Sequence, residues 1–188
     1  LPTTTSPPPT TAPQPGEART DVSLREPTYP AVDRAVSVTN VLPACQIPAY
    51  FFTPPATAGF VPPDAPAASM TQAERDAKAK QLMTDAGYGP DKPVEFTYIY
   101  NTSVGHQQIA TVVSQMLKEK LGINMTLQDM EFASLLDKRH QRDCSVARDA
   151  CGGVYNEAAT FEGRTQSPPS PNTPAYHNDR PATAAEES

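Results

Sequence analysis

The side chains with the most reactive chemistry are His140, Asp143 and Cys144, which lie within one short stretch. A cysteine beside a histidine can form a nucleophilic thiolate–imidazole pair, but catalysis also requires a fixed geometry between the two groups and an oxyanion site. Nothing else in the sequence supplies these parts. A zinc site on the same three residues lacks a fourth ligand nearby. We therefore expect neither an enzyme nor a metal site.

Two adjacent glycines, Gly152 and Gly153, raise the question of a phosphate-binding loop. Such a loop requires a following helix that begins with Gly-Lys and then Ser or Thr, and no such sequence follows. A turn or a bulge is the simpler interpretation, so we expect no cofactor.

Charge and hydropathy argue against two further classes of partner. The formal net charge is −6 and the basic residues form no block, so the clustered Lys and Arg of a nucleic-acid-binding surface are missing. No apolar run approaches the roughly 20 residues that span a bilayer. We expect no nucleic-acid partner, and an association with a membrane that is peripheral at most.

The elements that must position these residues are predicted in the segment 93–157, where apolar residues recur with the periods of strands and helices. Residues 93–101 predict a half-buried strand, with Ile99 on one face and four apolar side chains on the other: Val94, Phe96, Tyr98 and Tyr100. Residues 106–121 form an apolar helical stripe that ends at Gly122.

The pattern then repeats. Residues 123–128 alternate again, and a second helix follows with Asp129 as its N-cap and three apolar side chains directed inward: Phe132, Leu135 and Leu136. A third strand is predicted at 145–148. Strands that alternate with helices predict parallel pairing through right-handed crossovers, because a hairpin cannot contain a helix of this length. The predicted fold class is α/β, with a parallel βαβαβ core.

Proline sets the predicted domain boundaries. Of the 22 prolines, fifteen precede residue 70, five follow residue 161, and only two lie between. Because proline breaks helix interiors, we predict a disordered tail at 1–20, an irregular segment at 21–70, an α/β region at 71–163 and a loose tail at 164–188. Thr71 and Glu74 form a capping box that begins a helix at the start of the α/β region, and Gly87 ends it.

The three cysteines, Cys45, Cys144 and Cys151, cannot all pair within one chain. Cys144 and Cys151 are about 23 Å apart if the chain between them is extended, which is too far for a disulfide. Cys45 could reach either of the others, so the cysteines do not indicate a redox compartment.

A set of short motifs occurs in a fixed order. They are AGYGPDKPVEFTYIYNTS at 86–103, followed by His106, then LGINMTLQ at 121–128, LDKRHQ at 136–141, VAR at 146–148 and YNE at 155–157. In this order and at this spacing the sequence resembles the periplasmic oligopeptide-binding proteins, which form solute-binding protein family 5 of ABC transporters. The resemblance covers roughly residues 21–180.

The resemblance implies part of the second lobe of a type II periplasmic-binding-protein fold, whose two lobes close over a peptide. It also implies oligopeptide binding, delivery of the ligand to an ABC transporter permease, and a periplasmic or extracellular location at the cell envelope. Arg148 and His106 match positions that bind the carboxylate end of the peptide, and Arg139 lies in the matching RHQ motif. The ligand main chain is expected to pair with residues 148–154, which include Cys151, Gly152, Gly153 and Val154.

Two departures from the family pattern lie in this segment. Cys151 stands at a tryptophan, and Val154 stands at an aspartate that binds the ammonium group of the peptide in the family. Removing one partner of a buried ion pair costs about 3–5 kcal/mol, which corresponds to roughly a hundredfold to a few thousandfold in affinity. The implied function is therefore impaired or partial peptide binding, and the alternative is a truncated, non-binding remnant that keeps only the fold.

A further departure concerns the sequence REPTYPAVDR at 25–34, which corresponds to a helix in the family. Pro27 and Pro30 stand inside it. Because an interior proline costs about 3 kcal/mol, we predict that this helix fails or begins only after Pro30.

Overall fold

The structure, a computed structural model, describes residues 22–41, 46–141, 143–150, 156–157 and 159–162. In chain order its elements are α1 (Val22–Ala31), α2 (Arg34–Asn40), α3 (Pro66–Ser69), α4 (Gln72–Asp85), β1 (Glu95–Asn101), α5 (Val104–Leu121), β2 (Asn124–Met130), α6 (Phe132–His140), β3 (Val146–Ala147) and α7 (Ala159–Glu162). The predicted α/β fold is confirmed. In the part of the chain that the structure describes, no helix combines the length and the apolar character needed to cross a membrane.

The three strands form one parallel sheet in the order β2-β1-β3, so the predicted parallel pairing is confirmed. β1 pairs with β2 along its whole length, from Glu95 to Asn101, and with β3 at Tyr98 and Ile99. The chain passes from β1 to β2 on one side and then crosses to β3 on the other. Right-handed crossovers therefore place α5 and α6 on opposite faces of the sheet.

β1 carries a buried residue on its second face at Ile99, whereas Glu95 and Thr97 on that face are exposed and half-buried, so the prediction of a half-buried strand is corrected only at the carboxyl-terminal end of β1. Val94 and Tyr100, on one face, are 2% and 3% exposed, and Ile99, on the other face, is also 2% exposed. α6 contacts β1 on this second face and contributes the buried side chain of Leu135. The alternation of side chains along β1 does not show that its second face is also covered, because the covering helix, α6, follows β2 in the sequence.

The face of β1 that carries Val94 bears the main hydrophobic core. α1 packs against α4 and α5, and α4 also contacts α5. The buried members of this core are Leu24, Ala31, Ala79, Met83, Tyr88, Val94, Leu117 and Ile123. The apolar stripe predicted for α5 therefore does face the core, and α4 contributes Ala79 and Met83 to it.

α1 forms although Pro27 and Pro30 lie inside it, so the prediction that these prolines prevent or delay the helix is wrong. Both prolines are buried, and the spacing of Leu24, Pro27 and Ala31 places them on one face of the helix. Each interior proline costs about 3 kcal/mol locally. The two rings belong to the apolar surface that α1 buries, and burial of that surface offsets the local cost.

α1 and α2 also correct the prediction of an irregular segment at 21–70, since both helices lie within it. The prediction fits better further on, because residues 46–65 contain neither helix nor strand. α2 begins with Asp33 as its N-cap, and the Asp33 carboxylate accepts a hydrogen bond from the Val36 N–H. Proline content alone therefore overestimated the irregular part of the chain.

The ends of α4 and α5 follow their sequence signals. Glu74 Oε2 accepts a hydrogen bond from the Thr71 N–H at 2.7 Å, and Thr71 Oγ1 accepts one from the Glu74 N–H at 3.3 Å. The bond from the Thr71 backbone is the main reason why the pKa of the Glu74 carboxyl is lowered from its ordinary value. α5 ends at Gly122, whose φ of 68° lies in the left-handed region that glycine adopts without strain.

The N-cap of α6 is Glu131, so the prediction of Asp129 is wrong. The Glu131 carboxylate accepts hydrogen bonds from the N–H groups of Ala133 and Ser134. Asp129 belongs to β2 instead, because the pairing of β2 with β1 continues as far as Met130.

The helices of the main core meet at a polar junction around Lys120. Its Nζ donates hydrogen bonds to the carbonyl of Ala31, the last residue of α1, and to Asp76 Oδ1, both at 2.9 Å. Gln72 Nε2 donates to the Pro30 carbonyl at 3.2 Å and to Asp76 Oδ1 at 2.6 Å. Since the last carbonyls of a helix lack partners within it, Lys120 and Gln72 cap α1 from the neighbouring helices.

We expect Lys120→Met to lower the free energy of unfolding by about 2 kcal/mol, because it removes the cation that binds both the Ala31 carbonyl and Asp76. Urea denaturation measures the change as a shift in midpoint at constant slope. Lys118→Met is the matched control, since Lys118 is exposed in the same last turn of α5. Similar losses for the two variants would contradict a specific role for Lys120.

Candidate functional site

The candidate site lies at the carboxyl edge of the sheet, where the segments that follow parallel strands meet. β1 ends at Asn101, and His106 follows in the first turn of α5. β3 ends at Ala147, and Arg148 follows directly. The sheet therefore brings His106 and Arg148, which are distant in the sequence, to one edge.

Arg148 is held against the central strand by its backbone. Its N–H donates a hydrogen bond to the Ile99 carbonyl at 2.9 Å. Because Val146 pairs with Tyr98, the side chain of Arg148 falls on the same face as Tyr98 and Tyr100. The side chain is half-buried, and no carboxylate of the described residues forms an ion pair with it. Its guanidinium is thus available for two parallel hydrogen bonds to a ligand carboxylate.

Two stacked tyrosines lie beside Arg148. The ring centroids of Tyr98 and Tyr100 are 5.9 Å apart. Burial raises the pKa of Tyr98 from its ordinary value of 10.0, and the positive charge of Arg148 acts in the opposite direction. The pKa of Tyr98 therefore depends on the charge at the candidate site.

His106 is half-buried, and its Nδ1 lies 3.2 Å from the Asn101 carbonyl oxygen. A carbonyl only accepts hydrogen bonds, so this contact places a hydrogen on Nδ1. The second nitrogen, Nε2, can then donate to a carboxylate only when the ring carries a positive charge. In the neutral ring, Nε2 therefore offers a ligand an acceptor and not a donor.

Arg139 is already bound to a carboxylate of the protein. Its Nη2 donates to Asp149 Oδ2 at 2.6 Å, with the two side chains 10% and 43% exposed respectively. Asp149 also accepts a hydrogen bond from the Ala150 N–H at 2.8 Å. The sequence reasoning missed Asp149, although its position next to Arg148 in an extended segment predicts that it points to the other face, towards α6.

Two exposed apolar residues belong to the same edge. Val104 and Phe132 are the first residues of α5 and α6 and are 74% and 56% exposed. The prediction that Phe132 points inward is wrong, because the helix begins at the rim of the sheet. A hydrogen bond from the Thr102 N–H to the Met130 carbonyl, at 2.9 Å, joins the ends of β1 and β2.

The other predicted binding residues, Cys151, Gly152, Gly153 and Val154, lie outside the described residues, as does Cys45. Beyond them, Asn156 Oδ1 accepts a hydrogen bond from the Ala58 N–H at 2.9 Å. Of the residues first considered for catalysis, Cys144 is half-buried and His140 is exposed. Within the described ranges, no three His, Cys, Asp or Glu side chains are placed to hold a metal ion.

The sheet and its helices superpose on solved periplasmic binding proteins, so the fold is that of a lobe of this class. The model of the family described as "Bacterial extracellular solute-binding proteins, family 5 Middle" matches residues 14–181. The chain therefore belongs to the family 5 solute-binding proteins.

Individual relatives agree with this assignment. The chain is 41% identical over 147 residues to the periplasmic murein peptide-binding protein MppA of Escherichia coli (strain K12), covering 78% of this chain and 27% of MppA. The solved structure of that protein superposes with a TM-score of 0.82 at 38% identity, covering 86% and 32% of the two chains. Haemophilus influenzae OppA in complex with RPPGFSPFR gives a TM-score of 0.78 at 30% identity, covering 85% and 32%. The chain thus spans less than a third of the length of these relatives.

We expect Arg148→Met to raise the pKa of Tyr98 further, because it removes a positive charge that favours the phenolate. The measurement is an NMR titration that follows the ring carbon attached to the Tyr98 hydroxyl as the pH rises. Arg25→Met, which removes an equal charge from an exposed position on α1, should leave the Tyr98 titration unchanged. An unchanged Tyr98 titration in Arg148→Met would place the guanidinium away from the ring.

Proposed function

We propose that the chain forms one wall of an oligopeptide-binding site, in a solute-binding protein that delivers peptides to an ABC transporter permease. Arg148 binds the terminal carboxylate of the ligand. The observation that carries this proposal is the state of Arg148, which is half-buried at the carboxyl edge of the sheet with no ion-pair partner among the described carboxylates. A half-buried arginine in that position is suited to bind an anionic group from outside the protein.

The relatives support a peptide as the ligand. MppA is named for murein peptides, and the solved Haemophilus influenzae OppA holds the peptide RPPGFSPFR. Their names, which describe periplasmic peptide-binding proteins, also support a periplasmic location and a role in ligand binding. The chain matches less than a third of the length of these relatives, so the proposal assigns to it one wall of the site.

The ligand main chain would add to the sheet beside β3. β3 is an outer strand of the described sheet and regular pairing covers only Val146 and Ala147. Addition of an extended peptide to such an edge supplies affinity through main-chain hydrogen bonds, while the charged ends of the peptide need specific partners. Arg148 and, when protonated, His106 would bind the carboxylate end of the peptide.

The ammonium end has a weaker partner. Val154 replaces the aspartate of the family pattern, and valine offers no charge to an ammonium group. We therefore expect modest affinity for free peptides. Complete absence of binding would favour the non-binding alternative, in which the fold persists without a ligand site.

We expect Arg148→Met to weaken the binding of a short peptide with a free carboxyl terminus by about 10- to 100-fold, the usual range for a hydrogen bond to a charged group. Isothermal titration with a tripeptide of free carboxyl terminus and with its carboxyl-terminal amide gives the measurement. The wild type should prefer the free acid, and Arg148→Met should lose that preference.

Arg25→Met is again the control for the loss of one positive charge, and it should keep the preference of the wild type. A preference for the free acid that survives in Arg148→Met would show that another group binds the carboxylate. NMR spectra of equal dispersion for all variants establish that each one is folded.

A further inference from the structure

We propose that Asp149 determines which peptides this wall accepts, because it binds Arg139 within the protein and withholds that guanidinium from a second ligand carboxylate. This inference rests on the proposed function, in which Arg148 binds the terminal carboxylate. The ligands favoured by the wild-type chain are peptides whose side chains carry no negative charge. Acidic peptides are disfavoured because Asp149 competes with their carboxylates for Arg139.

The geometry follows from the alternation of side chains in extended chain. The hydrogen bond from the Arg148 N–H to the Ile99 carbonyl continues the line of β3 beside β1. Arg148 faces the tyrosine side of the sheet, where its charge acts on Tyr98. Asp149, the next residue, points to the other face and there accepts the 2.6 Å hydrogen bond from Arg139 of α6. Two neighbouring residues thus give the two arginines different roles.

Burial makes the contact between Arg139 and Asp149 hard to replace. Arg139 is only 10% exposed, so its charge is costly when no carboxylate lies beside it. The hydrogen bond from the Ala150 N–H to Asp149 Oδ1, at 2.8 Å, orients the carboxylate before any ligand arrives. A preoriented group on the same chain competes with a free ligand at high effective concentration.

A ligand carboxylate that approaches Arg139 therefore meets an occupied guanidinium and a second negative charge. Without Asp149 the same guanidinium would need a new partner, and an acidic side chain of a bound peptide has the required chemistry. The preference for neutral peptides thus depends on one side chain, which can be removed.

The test compares two isosteric peptides, Ala-Glu-Ala and Ala-Gln-Ala, by isothermal titration against the wild-type chain and Asp149→Ala. At about 0.15 M salt, charges further away than roughly 8 Å are largely screened. We expect Asp149→Ala to raise the affinity for Ala-Glu-Ala relative to Ala-Gln-Ala about tenfold, as for one added charge-assisted hydrogen bond. The double variant Arg139→Gln/Asp149→Ala should lose this gain.

Asp143→Ala is the matched control. Asp143 is an exposed carboxylate that pairs with Lys138 of α6 at 2.8 Å, so its removal changes the net charge of the same region by the same amount. Its ratio of affinities should equal that of the wild type. Asp149→Asn removes the charge but keeps an acceptor for the Ala150 N–H, and it tests the same point should Asp149→Ala fail to fold.

The outcomes separate this inference from the proposed function. Binding of both peptides with the same ratio in the wild type, Asp149→Ala and Asp149→Asn would overturn the role of Asp149 and leave the proposed function standing. A gain of equal size in Asp143→Ala would overturn it too, because the effect would then be a general one of charge. Absence of binding by every variant would overturn the proposed function, and the role of Asp149 with it.

Discussion

The pairing of β1 with both neighbouring strands is the constraint on which the rest of the structure depends. Because β1 lies at the centre of the sheet, this pairing determines which helices cover each face and brings the carboxyl ends of the three strands to one edge. A shift of one residue along β1 would turn Val94 and Tyr100 away from the main core. A similar shift along β3 would move Arg148 to the other face. The core and the candidate site therefore depend on the same register.

The charged side chains at the candidate site differ in how deeply they are buried and in the face of the sheet on which they lie. Their number alone does not show which of them is available to a ligand. Arg139 and Arg148 have the same chemistry and both match positions of the family pattern. One is neutralised by Asp149, while the other lies beside Tyr98 without an ion-pair partner among the described carboxylates. Which of the two guanidinium groups remains without a carboxylate partner at this edge therefore depends on one residue, Asp149, which directly follows Arg148.

The helix that contains two prolines illustrates how packing overrides local preference. The sequence of α1 disfavours a helix, yet its buried face includes both prolines, and Lys120 and Gln72 cap its carboxyl-terminal end. The helix is thus stabilised at its face and at its end by groups from α4 and α5. Local penalties of a few kcal/mol are within the range that such burial and capping can offset.

The sequence by itself determined the α/β class, the parallel sheet, the capping box at Thr71, the end of α5 at Gly122, and the family, which also pointed to Arg148 and His106. These signals are local periods, caps and ordered motifs, and each can be interpreted within a short stretch. Only the tertiary structure decided that α1 forms, that β1 is covered on both faces, that Asp129 belongs to a strand and that Asp149 binds Arg139. In each of these cases the deciding contact comes from another element of the fold, and a local pattern carries no information about which distant group will supply it.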